Sequence, residues 1–182
     1  MYKKSCLTKD YLKIKHDIKS RLKEFSSLWK NAHEKDLFAE LCFCLCTPQS
    51  KARLAHKAIK KLKTTEILYK GSPEQIKIHL KGVRFHNNKS NYIHKARQMF
   101  KTKDNFNFAL RKTINTKDIK GTRDWFVRNV KGLGYKEASH FLRNIGFGDN
   151  IAILDRHILK NLKNLGVINS IPASIPKIQY FE

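Results

Sequence analysis

Acidic side chains are scarce in this chain. Asp and Glu number 15 against 38 Lys and Arg, a formal net charge of +23 at pH 7 over 182 residues. Glycine (8) and proline (4) are also few, which excludes a collagen-like or low-complexity chain. No stretch reaches the roughly 18 consecutive apolar residues that a membrane span needs. The opening residues, Met1-Tyr2-Lys3-Lys4-Ser5-Cys6, lack the apolar run of a signal peptide. Cysteine is limited to four positions, with none after Cys46, so a disulfide framework is not expected and a cytosolic redox setting fits.

What is present points to a folded, basic protein. At 41% hydrophobic and 10% aromatic residues, the chain is too apolar for a disordered basic tail. A chain of this length can bury about 70% of its extended surface, enough for one or two modest cores. The excess positive charge calls for an acidic partner, and nucleic acid, with its dense phosphates and releasable counterions, is the first choice. An anionic membrane surface is the weaker choice. A compositional bias toward lysine stays open as the alternative, because Lys far exceeds Arg.

Apolar spacing predicts helices throughout. Residues 8–30 carry Tyr11, Ile14, Ile18, Leu22 and Phe25 at helical intervals, with lysines opposite. Residues 35–46 read as a nearly all-apolar helix. Its run Leu41-Cys42-Phe43-Cys44-Leu45-Cys46 places alternate residues about 200° apart, so the three thiols cannot face one metal and are read as buried. Thr47-Pro48 reads as the cap and first residue of the next helix, running to Leu62. Ser72-Pro73-Glu74-Gln75 is a further helix start. Residues 84–91 look too polar for a core and precede a helix with Ile93, Ala96, Arg97 and Phe100; a loop over 101–106 and a short helix over 107–113 follow. Trp125, Phe126 and Val130 lie on a helix ahead of a tight turn, with further helices over 135–145 and 156–165. No alternating strand pattern runs longer than about four residues. The expected fold class is all-α, with short connections and no tandem repeat.

The segment Val130-Lys131-Gly132-Leu133-Gly134-Tyr135-Lys136-Glu137-Ala138-Ser139 carries the most chemistry. Gly132 and Gly134 permit a sharp turn and close approach to a ligand, while Leu133 can plug the angle between two helices. The second helix would open with unsatisfied N–H groups, a site for phosphate. This looks like a helix-hairpin-helix element, which grips a DNA backbone without reading sequence. A plain helix–Gly–helix corner is the bland alternative. Lys136 lies in the first turn of that helix, where the dipole and neighbouring positive charge favour the uncharged, nucleophilic amine. Nineteen positions on, Asp155 in Ile153-Leu154-Asp155-Arg156-His157-Ile158-Leu159 precedes another helix. Its simplest role is N-cap; beside a cationic sugar transition state it would also supply charge stabilisation. Spacing alone does not say whether the two residues face each other.

At these residues the sequence resembles the helix-hairpin-helix superfamily of DNA base-excision glycosylases. Within it the chain is most similar to the second, mainly archaeal type of 8-oxoguanine DNA glycosylase/AP lyase. The resembling text also includes Leu41 through Ser50, Arg84-Phe85-His86-Asn87-Asn88-Lys89 and His140-Phe141-Leu142-Arg143-Asn144. The resemblance implies two helical subdomains flanking a DNA-binding cleft: a central one over 31–118, and a second formed by 1–30 with 119–182 that carries the 131–136 hairpin. It implies that Lys136 is the Schiff-base nucleophile and Asp155 the essential carboxylate. A flipped 8-oxoguanine nucleotide would lose its base, and the strand would then be nicked 3′ to the abasic site by β-elimination. The implied partner is duplex DNA containing 8-oxoguanine or an abasic site, acted on by a monomer in the cytoplasm, at the nucleoid. No cofactor is implied beyond a monovalent cation that family hairpins can carry. The four-cysteine iron–sulfur loop of the endonuclease III branch is missing from this sequence. Members of this type continue for a few tens of residues to a C-terminal lysine that helps hold the lesion base. This chain ends Lys177-Ile178-Gln179-Tyr180-Phe181-Glu182 without it.

Candidate DNA contacts are Lys131, Gly132, Gly134, Gln49, Arg84, His86, Asn87, Asn88, Lys89 and Arg156. Gln49 lies in a polar turn, where it can meet a base or simply start a helix. The 84–89 stretch suits phosphate contact or minor-groove insertion, with a solvated loop as the alternative. Phe85 can stack on a base or anchor its own loop. His140 and His157 belong to no metal-ligand cluster. The competing function is a non-catalytic helix-hairpin-helix DNA-binding module, a short form without the base-recognition segment. Both readings require steep salt dependence; the enzyme alone requires a covalent intermediate at Lys136.

Overall fold

The computed structural model describes residues 4–103, 107–172 and 175. Pro176 and the terminal run 177–182 lie outside the described residues. Nine α-helices are present among the described residues: α1 (Lys4–Asn31), α2 (Glu34–Cys46), α3 (Ala52–Thr64), α4 (Ile67–Lys70), α5 (Pro73–His79), α6 (His86–Phe100), α7 (Ile119–Asn129), α8 (Tyr135–Asn144) and α9 (Arg156–Asn164). Outside them, a single antiparallel bridge joins Lys101 and Phe108. The expected all-α class is what the chain adopts.

α2 is the central rod. Helices α3, α6 and α8 all pack on it, which is why its sequence is apolar on every side. Leu37, Phe38, Leu41, Cys42, Cys44 and Cys46 are fully buried. Burial pushes the thiols up, Cys46 to about 12, so they behave as small apolar groups. One apolar cluster continues through α2 into Phe126, Val130, Leu133, Ala138 and Phe141 of the hairpin helices. The cysteines, read as core from their spacing, are core.

Local signals set several boundaries. Ser72 caps α5, its Oγ accepting from Gln75 N at 3.3 Å while Gln75 Oε1 accepts from Ser72 N at 2.8 Å. Asp118 Oδ1 accepts from Gly121 N at 2.8 Å and opens α7. α1 ends at Asn31, and Asp118 is the cap of α7.

Three expectations are corrected. Thr47-Pro48 does not begin α3. Thr47 instead closes α2, its hydroxyl donating to Cys44 O at 2.8 Å, and α3 starts at Ala52 after a turn through Gln49. Residues 84–91 are not a polar loop: α6 begins at His86, and Lys89 and Ser90 are buried. The helix expected over 107–113 is a 3-10 turn at Arg111–Thr113. The N–H groups of Leu110 and Arg111 are taken by the Glu34 carboxylate, at 2.8 and 3.3 Å. α4 was not anticipated; Glu66, in the left-handed region at φ 56°, turns the chain into it.

Candidate active site

The hairpin is built from α7, the turn 130–134 and α8. Leu133 is buried in the turn and its N–H donates to Val130 O at 3.1 Å. Gly132 has φ +89°, and a Cβ there would lie 2.2 Å from Tyr92 Cδ2, so both conformation and space demand glycine. Gly134 occupies the N-cap of α8 and has no side chain to satisfy the first N–H groups of the helix. Lys131, Gly132 and Gly134 line a groove of about 420 Å³ at this turn, and Lys131 is exposed. The groove joins positive charge, a helix N-terminus and accessible backbone, which suits a phosphodiester.

Beside it lies a cleft of about 640 Å³ that brings together Lys136, Asp155, Gln49, Gly134 and Arg156. Lys136 stands in the first turn of α8, its Nζ 3.6 Å from Glu137 Oε1. Asp155 caps α9, Oδ1 accepting from His157 N at 2.9 Å and Ile158 N at 2.8 Å. An amine and a carboxylate, each at a helix N-terminus, therefore open into one space large enough for a nucleoside. The sequence left this meeting undecided, because no local signal relates residues nineteen apart across a loop. A larger cavity, about 900 Å³, lies between α1, α2 and α3 with Glu40, Phe43 and His56 on its walls; neither Lys136 nor Asp155 reaches it.

His140 is a residue that sequence reading weighed only as a metal ligand. It lies one turn beyond Lys136 on α8, and its ring packs edge-on against Phe43, centroids 5.8 Å apart. Burial, helped by Arg143 and Lys136, brings its pKa down to about 4, while Asp155 acts in the opposite direction. The imidazole is therefore uncharged at neutral pH and within electrostatic reach of both cleft residues. Its spacing of four from Lys136 was the available signal.

The other candidates sit at the start of α6. Phe85 has φ 58° and is 48% exposed, so it does not anchor its own loop; the Arg84 guanidinium lies 5.1 Å from the centre of its ring. Arg84, Asn87 and Asn88 are exposed and His86 is half-buried. Lys89 is the correction. It is 3% exposed and its ammonium donates to Cys46 O at 2.9 Å, Pro48 O at 2.7 Å and Ser50 Oγ at 3.2 Å. Three donors meet three acceptors, which leaves nothing to offer a phosphate. Gln49, with φ 52°, projects from the turn that Lys89 holds. Among the described residues no group of three or more His, Cys, Asp or Glu is placed to hold a metal, and no helix is long and apolar enough to cross a membrane.

Comparison with known proteins agrees with this geometry. The family model described as 8-oxoguanine DNA glycosylase matches residues 18–182. An 8-oxoguanine DNA glycosylase/AP lyase of Fusobacterium nucleatum is 47% identical over 182 residues, covering 97% of this chain and 81% of that protein. Its counterpart in Methanocaldococcus jannaschii is 36% identical over 169 residues, 93% of this chain and 77% of that protein. The crystal structure of the M. jannaschii glycosylase/lyase with 8-oxoguanine-containing DNA superposes with a TM-score of 0.80 at 35% identity, covering 92% of this chain and 77% of that one. The Thermotoga maritima 8-oxoguanine DNA glycosylase gives 0.82 at 32% identity, with 96% and 80% covered. The chain belongs to the 8-oxoguanine DNA glycosylase family.

Proposed function

We propose that this chain is a bifunctional glycosylase and AP lyase that removes 8-oxoguanine from duplex DNA through a Schiff base on Lys136. The observation that carries the reading is the single cleft holding Lys136 and Asp155, beside a hairpin groove suited to the DNA backbone. A base inside a duplex is out of reach of any side chain, so the lesion nucleotide must first be flipped outward. Gly132, Gly134 and Lys131 hold the phosphates, with Arg84, His86, Asn87, Asn88 and Arg156 as further contacts. Gln49, which lines the cleft, and the exposed Phe85 are the residues that meet the DNA beside the flipped nucleotide in this reading. Two units, 31–118 and 1–30 with 119–182, flank the cleft. The chain acts as a monomer on nucleoid DNA.

The chemistry uses two groups. The Lys136 amine, once its proton has been given up, attacks C1′ and the C1′–N9 bond breaks, its electron pair leaving with 8-oxoguanine. As the sugar gains positive charge, the Asp155 carboxylate stabilises it. Ring opening gives the protonated imine. Loss of a C2′ proton then expels the 3′ phosphate by β-elimination, which nicks the strand. His140, uncharged, adds no positive charge near the developing cation. The backbone carbonyls of the 130–134 turn are the oxygen donors a monovalent cation at the hairpin would use, and no step runs through it.

Borohydride trapping on a duplex with 8-oxoguanine opposite cytosine tests the reading. A reduced protein–DNA adduct is expected from the wild type and none from Lys136→Gln. An equal adduct from the variant would reduce the chain to a DNA-binding module whose lysines react incidentally.

A further inference from the structure

Of the three non-glycine residues in the left-handed region among the described residues, two, Gln49 and Phe85, are exposed with one buried hub behind both. The hub is the Lys89 ammonium with the Ser50 hydroxyl. Lys89 Nζ binds the carbonyl of Cys46, which ends α2, and that of Pro48, directly before Gln49. Ser50, directly after Gln49, accepts from Lys89 Nζ at 3.2 Å and from Arg84 N at 2.9 Å. Arg84 in turn precedes Phe85, whose own carbonyl accepts from Lys89 N at 3.0 Å. Gln49 is thus flanked on both sides by this hub, through Pro48 O and Ser50 Oγ, while the Phe85 turn is tied to it through Arg84 N on Ser50 Oγ; the Lys89 N–Phe85 O bond is an ordinary first-turn bond of α6. The tie spans segments about forty positions apart, with 39 to 43 residues separating Lys89 from its acceptors. Left-handed backbone at a non-glycine residue costs free energy and persists where its surroundings over-determine it. A lysine buried to 3% exposure is likewise retained only when its donors are satisfied.

We propose that Lys89 and Ser50 are positioning residues for the glycosylase reaction: they lock the Gln49 turn and the Phe85 turn at one spacing, so that both enter the DNA as a single preformed two-pronged probe. This deepens the function proposed above and rests on it, since it takes Gln49 and Phe85 as the residues that meet DNA. The physical gain is preorganisation. Two separately ordered loops would each lose conformational entropy on insertion, whereas a rigid pair has already lost it on folding. Burial lowers the pKa of Lys89, with Cys46 and Glu137 opposing the shift.

The test separates substrates that need base extrusion from one that does not. In the full chain, Ser50→Ala and Lys89→Met are compared with wild type in single-turnover excision from an 8-oxoguanine:cytosine duplex. They are also compared in borohydride trapping on a single-stranded abasic oligonucleotide. Ser50→Ala leaves Lys89 bound to both carbonyls and provides the variant that folds. Expected for Ser50→Ala is about a tenfold loss on the duplex and less than about a twofold change on the single strand, with Ser50→Thr, which keeps the hydroxyl, restoring the duplex rate. Adding Gln49→Ala or Phe85→Ala to Ser50→Ala should then cost less than the same change made in wild type. The proposal is overturned if the hub variants excise from duplex at the wild-type rate, or if both substrates suffer in parallel with a fall in Tm. It is overturned equally if the Gln49 and Phe85 effects multiply independently of Ser50. Absence of trapping by the wild type on single-stranded abasic DNA would instead overturn the Lys136 chemistry.

Discussion

Replacing Asp155 with Asn separates the two jobs assigned to that carboxylate. The cap uses Oδ1, which accepts from His157 N and Ile158 N at 2.9 and 2.8 Å. Asn presents a carbonyl oxygen at the same position, and the two residues are nearly equal as N-caps. What folding loses is the interaction of a full negative charge with the start of α9, about 0.3–1 kcal/mol for a site open to solvent. Catalysis loses the charge that faces the sugar cation, and removing one such preorganised group costs about 3 kcal/mol, or roughly 100-fold in rate. Removing a negative charge beside DNA also strengthens binding, so a slower reaction cannot be assigned to weaker association. The assay is single-turnover excision of 8-oxoguanine at saturating enzyme, run alongside thermal unfolding. Asp155→Ala serves as the control, losing the cap as well, at about 1 kcal/mol of further stability. The reasoning fails if Asp155→Asn excises within about threefold of wild type, or if the rate loss in the two variants merely follows their loss of stability.

Three further outcomes follow from the same geometry. Gly132→Ala forces an alanine to φ +89° and its Cβ into the Tyr92 ring, so it should cost about 2–3 kcal/mol in denaturant unfolding and weaken binding to any duplex; a wild-type midpoint would show that the turn does not need glycine. His140 has a folded pKa of about 4 against an ordinary 6.5. The stability that depends on its neutral form is complete above pH 6.5 and is lost as pH falls toward 4, by no more than about 3 kcal/mol and less if water reaches the ring. His140→Phe should flatten that part of the stability profile, and an unaltered profile would remove His140 from it. Lys131→Gln should reduce the slope of log affinity against log salt by about one without changing preference among sequences; an unchanged slope would take Lys131 off the phosphates.

How much could be read from the sequence depended on the range of the forces involved. The Ser72 and Asp155 caps and the hairpin glycines act within a few residues, and each was legible from neighbouring side chains. Thr47-Pro48 was misread because the same pair can open a helix or leave one, and the choice was made by a lysine some forty positions away. Lys89 itself looked like a surface charge in a polar run. Its burial depends on the carbonyls of Cys46 and Pro48, acceptors that no local pattern announces. The cleft shared by Lys136 and Asp155 likewise arises from α8 and α9 meeting in space, which periodicity does not encode. His140 was visible as a helical neighbour of Lys136, but its environment became readable only once α2 brought Phe43 against it.

The central claim is that one particular amine becomes bonded to the sugar of the lesion nucleotide. After reaction with an 8-oxoguanine duplex and reduction by borohydride, proteolysis and mass spectrometry locate the sugar-derived adduct on a peptide. The account expects that mass on the peptide containing Lys136, with the neighbouring Lys131 and the buried Lys89 unmodified. An adduct spread over several lysines, or carried by a residue other than Lys136, would contradict it.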